Sequence, residues 1–237
     1  MADAPALSEL LLEARDRGYL GDQPVQRHID HAVGFLAVCA AARSSLSPPG
    51  LLIDLGAGAG IPGLVLALSP PPGIDRVVLL EGSQRRAEWL HHTLETLALS
   101  RGVEILGERA EVAGRLSSWR ASAAVVVARS FGRPAVAAEC AAPFLQLNGR
   151  LIVSEPPLPV DEESSGPRTG RGAAAQQTEP SPELEARWPA AAVATLGFGP
   201  AQEWRAGGFR YAVLSMGTLC PERYPRRNGI PAKRPLF

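Results

Sequence analysis

Five short apolar runs constrain this chain more than any other feature: "LLIDL" (51–55), "RVVLLE" (76–81), "VEIL" (103–106), "AAVVVA" (123–128) and "RLIVSE" (150–155). They are continuous rather than alternating, and segments of helical period separate them. A strand that is apolar on both faces must be covered on both faces, so the pattern predicts a parallel sheet with helices on either side. One intervening helix is read over 83–99, where Ala87, Leu90, Leu94 and Leu97 share a face. Two helices are expected earlier, at about 7–17 and 25–43, parted by "GYLGDQP" and closed by "SSLSPPG", whose prolines cannot continue a helix. A helix around 183–196 and strands near 201–204 and 209–215 complete the pattern, the last two close enough to pair as a hairpin.

At 237 residues the chain suits one substantial α/β domain with appendages. The expected division is a helical segment, 1–46, and a main domain, 47–237, carrying a flexible insertion at about 156–182 and a basic tail, 221–237. The insertion, within "PPLPVDEESSGPRTGRGAAAQQTEPSPE", is rich in Pro, Gly, Ser and charge. Lys+Arg and Asp+Glu both number 24, so no global field draws the chain to nucleic acid and any such contact rests on local clustering. Cys39, Cys140 and Cys220 lack CxxC spacing, which argues against a zinc site or a disulfide framework; they read as small buried residues. The amino terminus mixes acids with its apolar residues, and no run is long enough to span a membrane. A cytoplasmic monomer without metal is expected. His28, His31, His91 and His92 fall on expected helices and read as surface or packing residues.

The stretch "LLIDLGAGAGIPGLVLAL" (51–68) admits two parses. Gly56, Gly58 and Gly60 give GxGxG, which suits S-adenosylmethionine; Gly58, Gly60 and Gly63 give GxGxxG, which suits a dinucleotide. Either way the glycines allow a sharp turn into a helix and a close backbone approach to a ligand, and Pro62 suits the helix's first turn. Glu81 ends the next strand, where a carboxylate accepts both hydroxyls of a ribose. Asp54 tilts the choice: an acid there favours a ligand bearing an ammonium and a sulfonium over a pyrophosphate. "GERAEV" (107–112) brings Ala110 and Glu111 to the usual place of an adenine, and Arg129 ends a wholly apolar strand facing the ligand crevice. In "RYPRRNGIPAKRPLF" (223–237), Arg223, Arg226, Arg227, Lys233 and Arg234 stand with no acid among them. Proline and glycine would hold this stretch extended, with Tyr224 available for stacking, as a phosphate-tracking arm.

"DLGAGAGIPGLVLAL", "EGSQRRAEWL", "GERAEV", "VARSF", "PFLQLNGRLIV" and above all "RYPRRNGIPAKRPL" together resemble the RsmG (GidB) family of 16S ribosomal RNA guanine-N7 methyltransferases. The resemblance implies a Rossmann-like class I methyltransferase: a seven-stranded, mostly parallel sheet with helices on both faces and a final antiparallel hairpin strand. It implies S-adenosylmethionine as cofactor, and ribosomal RNA or the small ribosomal subunit as partner. It places Gly56, Gly58 and Ile61 in the first cofactor loop, Glu81 on the ribose, Ala110 and Glu111 on the adenine, and Arg129 at the junction of cofactor and substrate as the candidate catalytic residue. The five tail cations are then the candidate RNA contacts. The chain departs from the family pattern at Ala124, at "SEPP" (154–157), where Glu155 replaces a cation, and across "RGYLGDQPVQRHIDHA" (17–32). Two rivals stay open: a non-catalytic RNA-binding or ribosome-assembly factor on the same fold, and a nicotinamide-dependent oxidoreductase.

Overall fold

The computed structural model describes residues 4–42, 50–157 and 174–237. Its strands are β1 (Gly50–Leu55), β2 (Ile74–Leu80), β3 (Val103–Leu106), β4 (Ala123–Ala128), β5 (Leu145–Glu155), β6 (Gln176–Thr178), β7 (Gln202–Ala206) and β8 (Phe209–Ser215). They form one sheet in the order β3-β2-β1-β4-β5-β8-β7-β6. The five apolar runs lie in β1 to β5, which pair in parallel. β8 then enters antiparallel between β5 and β7. Gly207 and Gly208, both at positive φ, form the two-residue turn that closes the β7–β8 hairpin.

Central β4 shows why its run is apolar throughout. Val125 and Val127 face one core layer and Val126 and Ala128 the other, all fully buried. The first layer is built by α1 (Ala4–Asp16), α2 (Val25–Ala42), α3 (Gly63–Leu68) and α4 (Gln84–Thr96). The second is built by α5 (Ala110–Ala113), α6 (Pro134–Ala141), α7 (Pro182–Arg187), α8 (Ala190–Ala194) and residues of the C-terminal segment, in which α9 spans Ile230–Lys233. The N-terminal helices therefore share their core with the sheet: Leu11 and Phe35 belong to the same cluster as Val125 and Val213. All three cysteines are buried.

Two details differ from the pattern read in the sequence. An eighth strand, β6, pairs with β7 at the sheet edge inside the stretch expected as a flexible insertion. Its residues, Gln176 to Thr178, are polar and lack the apolar signal of the other strands, so only the open edge of β7 makes them a strand. Residues 158–173 of that insertion lie outside the described residues. The helix expected over 183–196 is two, broken at Pro189, whose ring disfavours helical geometry at Trp188 before it.

The chain runs outward from β1 to β2 and β3, then returns to β4 on the other side of β1. A crevice forms outside the carboxyl ends of β1 and β4, where the strand order reverses. The loops after those two strands touch: a Cβ on Gly56 would meet the Phe131 ring at 2.5 Å.

Candidate active site

The loop after β1 turns through Gly56, Gly58 and Gly60 at φ of +72°, +58° and +95°. Backbone N–H groups of Gly56 and Ala57 donate to the Leu80 carbonyl at 2.8 and 3.0 Å, tying the loop to the end of β2. At Gly60, packing adds to the dihedral constraint, because a Cβ would lie 2.3 Å from Leu64. Gly58 differs: a Cβ there would find nothing nearer than the Gly56 carbonyl at 3.7 Å, so the chain leaves an open cradle beside its N–H. Ile61 is buried in the core, and a cis peptide bond joins it to Pro62, which caps α3.

Two buried carboxylates brace this loop. Glu81 accepts from the Gly58 N–H at 2.9 Å with one oxygen, and from the Ser83 N–H at 2.8 Å and Arg86 Nε at 3.2 Å with the other. Its carboxylate is thus held at the mouth of the glycine loop. Asp54, 1% exposed, accepts from the Gly63 N–H at 2.7 Å. Burial is the main cause that pushes its carboxyl up to about 7; the Gly63 N–H and the Arg129 charge oppose that rise. Asp54 is thus a structural brace of the loop as well as an acid at the strand end. One of its oxygens is committed to the loop, and near neutrality its charge is partial. Gly63 is the close-packing residue that permits the clamp, since a Cβ there would lie 2.6 Å from Asp54 Oδ2 and 2.3 Å from Leu79.

Ala110 and Glu111 open α5, as the motif suggests, and the Glu111 carboxylate has a partner outside the loop. It accepts from the Gly229 N–H at 2.9 Å and so anchors the C-terminal segment. That segment is docked along its length rather than extended. Arg120 donates to the carbonyls of Gly114, Cys220 and Tyr224 at 2.8–3.0 Å, and Arg115 to that of Pro225 at 2.6 Å. Arg226 forms a forked pair with Glu139, which is completely buried, and also donates to the Arg234 carbonyl. Arg226 is therefore committed to a structural tie, and its side chain is only 27% exposed. Tyr224 is buried as well, with the Arg223 guanidinium 5.1 Å from its ring centre, which corrects its reading as a stacking platform. Arg223, Arg227, Lys233 and Arg234 are exposed.

Arg129 leaves the carboxyl end of β4 and lines a cleft of about 330 Å³ with His31, Phe131, Ser154, Glu155 and Trp188. Burial lowers the affinity of its guanidinium for the proton, and the Asp54 charge partly restores it. Its Nη2 donates to Nδ1 of His28, and His28 Nε2 lies 3.0 Å from the Gly21 carbonyl. His28 is thus more than a packing residue. His31 does pack, stacked on Phe209 at 4.3 Å, and His91 and His92 are exposed. Glu155, the acid in the unusual "SEPP", accepts from Arg187 Nε at 2.6 Å and Trp188 Nε1 at 2.9 Å. An arginine and an indole N–H thus compensate its charge. Sequence reasoning missed His28, Arg115, Arg120 and Glu139. Only Glu139 left a signal there, as a lone acid in the apolar helix "PAVAAECA".

A doubly wound sheet closed by an antiparallel hairpin, with a glycine loop and a strand-end acid at its switch point, defines the class I S-adenosylmethionine-dependent methyltransferases. A family model described as GidB, rRNA small subunit methyltransferase G, matches residues 22–162, and the chain belongs to that family. Ribosomal RNA small subunit methyltransferase G of Chloroflexus aggregans is 33% identical over 197 residues, covering 82% of this chain and 73% of the relative. Its counterpart in Moorella thermoacetica is 32% identical over 218 residues, covering 89% and 78%. A solved protein of Corynebacterium glutamicum, 16% identical, shares the fold with a TM-score of 0.54 over 90% of each chain.

Proposed function

We propose that this chain transfers a methyl group from S-adenosylmethionine to N7 of a guanine in small-subunit ribosomal RNA. The observation that carries the reading is the meeting of the open Gly58 cradle, the Glu81 carboxylate and the Arg129 cleft at one sheet edge, in a chain of this family. The donor fits these residues: Gly56, Gly58 and Ile61 line its path with backbone, Glu81 offers oxygens to its ribose, and the backbone of Ala110 and Glu111 reaches its adenine. When bound, it supplies an electrophilic methyl on a sulfonium.

Guanine N7 carries an unprotonated lone pair, so its attack on that methyl calls for alignment rather than for a general base. The N7–carbon bond would form as the donor's carbon–sulfur bond broke, the bonding pair staying on sulfur and the positive charge passing to the base. A cation against N7 would oppose that charge. Arg129 therefore acts by donating to an oxygen, either the donor's carboxylate or O6 of the base, and fixes the line of attack.

Arg223, Arg227, Lys233 and Arg234 form the RNA-facing cations, with residues 47–237 as the catalytic unit and 1–46 as the N-terminal segment, whose helices α1 and α2 pack on it. Work on ribosomal RNA puts the protein in the cytoplasm, acting as a monomer. Among the described residues no helix is long and apolar enough to cross a membrane, and no cluster of His, Cys, Asp or Glu could hold a metal ion. The test is mass mapping of modified guanines in ribosomal RNA from cells with and without the gene. Loss of one N7-methylguanine is expected, and an unchanged map would favour an RNA-binding factor without transfer.

A further inference from the structure

Arg129 occupies an unusual position for a guanidinium. It follows six fully buried residues of β4 and is itself largely removed from water, yet among the described residues it makes no ion pair within bonding distance of a carboxylate. A long arginine side chain has much rotamer freedom to lose, so one that must present its donors to a ligand needs something behind it. Here that support is a ring nitrogen. Arg129 can only donate, so Nδ1 of His28 must be the acceptor. That fixes the tautomer: the proton sits on Nε2, where the Gly21 carbonyl at 3.0 Å receives it.

We infer that His28 is the positioning residue for Arg129, holding the guanidinium by one N–H so that the remaining donors face the cleft. The relay runs from Gly21, in the loop between α1 and α2, through His28 in the first turn of α2, to the carboxyl end of β4. His28 is 4% exposed. Burial chiefly, with repulsion from Arg129, Arg15 and Arg27 and against the pull of the Gly21 carbonyl, lowers its basicity and keeps the accepting nitrogen free of a proton. The N-terminal segment thus reaches the reacting end of the molecule without needing to touch either substrate. This inference rests on the reading that Arg129 orients donor or base.

Two substitutions separate the two hydrogen bonds. Asn places its amide oxygen as many bonds from Cα as Nδ1, whereas Gln places its amide nitrogen as many bonds away as Nε2. His28→Asn therefore keeps the acceptor for Arg129 and loses the tie to Gly21; His28→Gln does the reverse. Turnover is measured with methyl-labelled S-adenosylmethionine on small ribosomal subunits, beside the unfolding midpoint of each variant. The expected result is a loss of turnover on the order of tenfold to a hundredfold in His28→Gln, with His28→Asn close to the wild type. In an Arg129→Ala background, His28→Gln should cost nothing further, because the group it positions is gone. If Arg129→Ala is inactive while His28→Gln turns over normally, the inference is overturned and the role of Arg129 stands. It is equally overturned if both His28 variants lose activity in step with their midpoints, as a purely structural histidine would. Normal turnover in Arg129→Ala removes the reading of Arg129 itself, and the inference with it.

Discussion

At the scale of single residues, Asp54 shows how a motif acid serves the loop it precedes. Its buried carboxyl sits at about 7 against 3.8 for an ordinary aspartate, so the folded state holds a proton that the unfolded chain releases. The stability it contributes is complete below about 3.8 and is lost as pH rises through about 7. Asp54→Asn keeps an oxygen for the Gly63 N–H and removes the titration. It should flatten the fall in unfolding free energy between about pH 4 and about pH 8, measured by denaturant titration; an unchanged slope would place the proton elsewhere. Glu139 poses the opposite case, a buried acid fully paired. Glu139→Ala strands the Arg226 guanidinium and its backbone N–H, and should cost about 3 kcal/mol in chemical unfolding, whereas Arg227→Ala should leave stability unchanged.

At the scale of elements, the C-terminal segment is part of the fold and not an appendage. Tyr224 belongs to the second core cluster, and Arg115, Arg120, Glu111 and Glu139 each hold the segment by at least one hydrogen bond. Removing residues 221–237 would uncover apolar surface and strip partners from four charged side chains. A truncated chain should therefore unfold at clearly lower temperature, even with no RNA present. A midpoint equal to that of the full chain would mean that the segment is a free arm. The same docking places its four exposed cations on a rigid surface, so RNA meets a preformed patch and less ordering entropy is lost on binding.

At the scale of the whole molecule, net charge is zero and RNA affinity must come from that patch. Four phosphate contacts to single-stranded RNA give a slope of log affinity against log salt of about −3. Arg227→Ala should make the slope shallower by about 0.7, while Arg226→Ala, once its loss of stability is allowed for, should leave it in place. Equal changes in the two slopes would contradict the division between exposed and tied cations. The parallel strands, the closing hairpin and the glycine turn were legible in the chain, because a strand covered on both faces must be apolar on both faces and glycines must stand where the backbone turns at positive φ; the polar edge strand β6 was not. The glycine loop and Glu81 were legible for the same reason: local geometry dictates the residue type. Asp54 was legible by its place, but not its clamp on the Gly63 N–H or the burial that raises its carboxyl. The tail's cations were counted correctly and assigned uniformly, although Glu139, 87 residues away, pairs with one of them. His28 looked like any helical histidine until the fold brought Arg129 against it from 101 positions away. Backbone conformation and solvent exclusion are written locally, residue by residue. Which charge meets which partner depends on distances across the folded chain, and only the tertiary structure sets those.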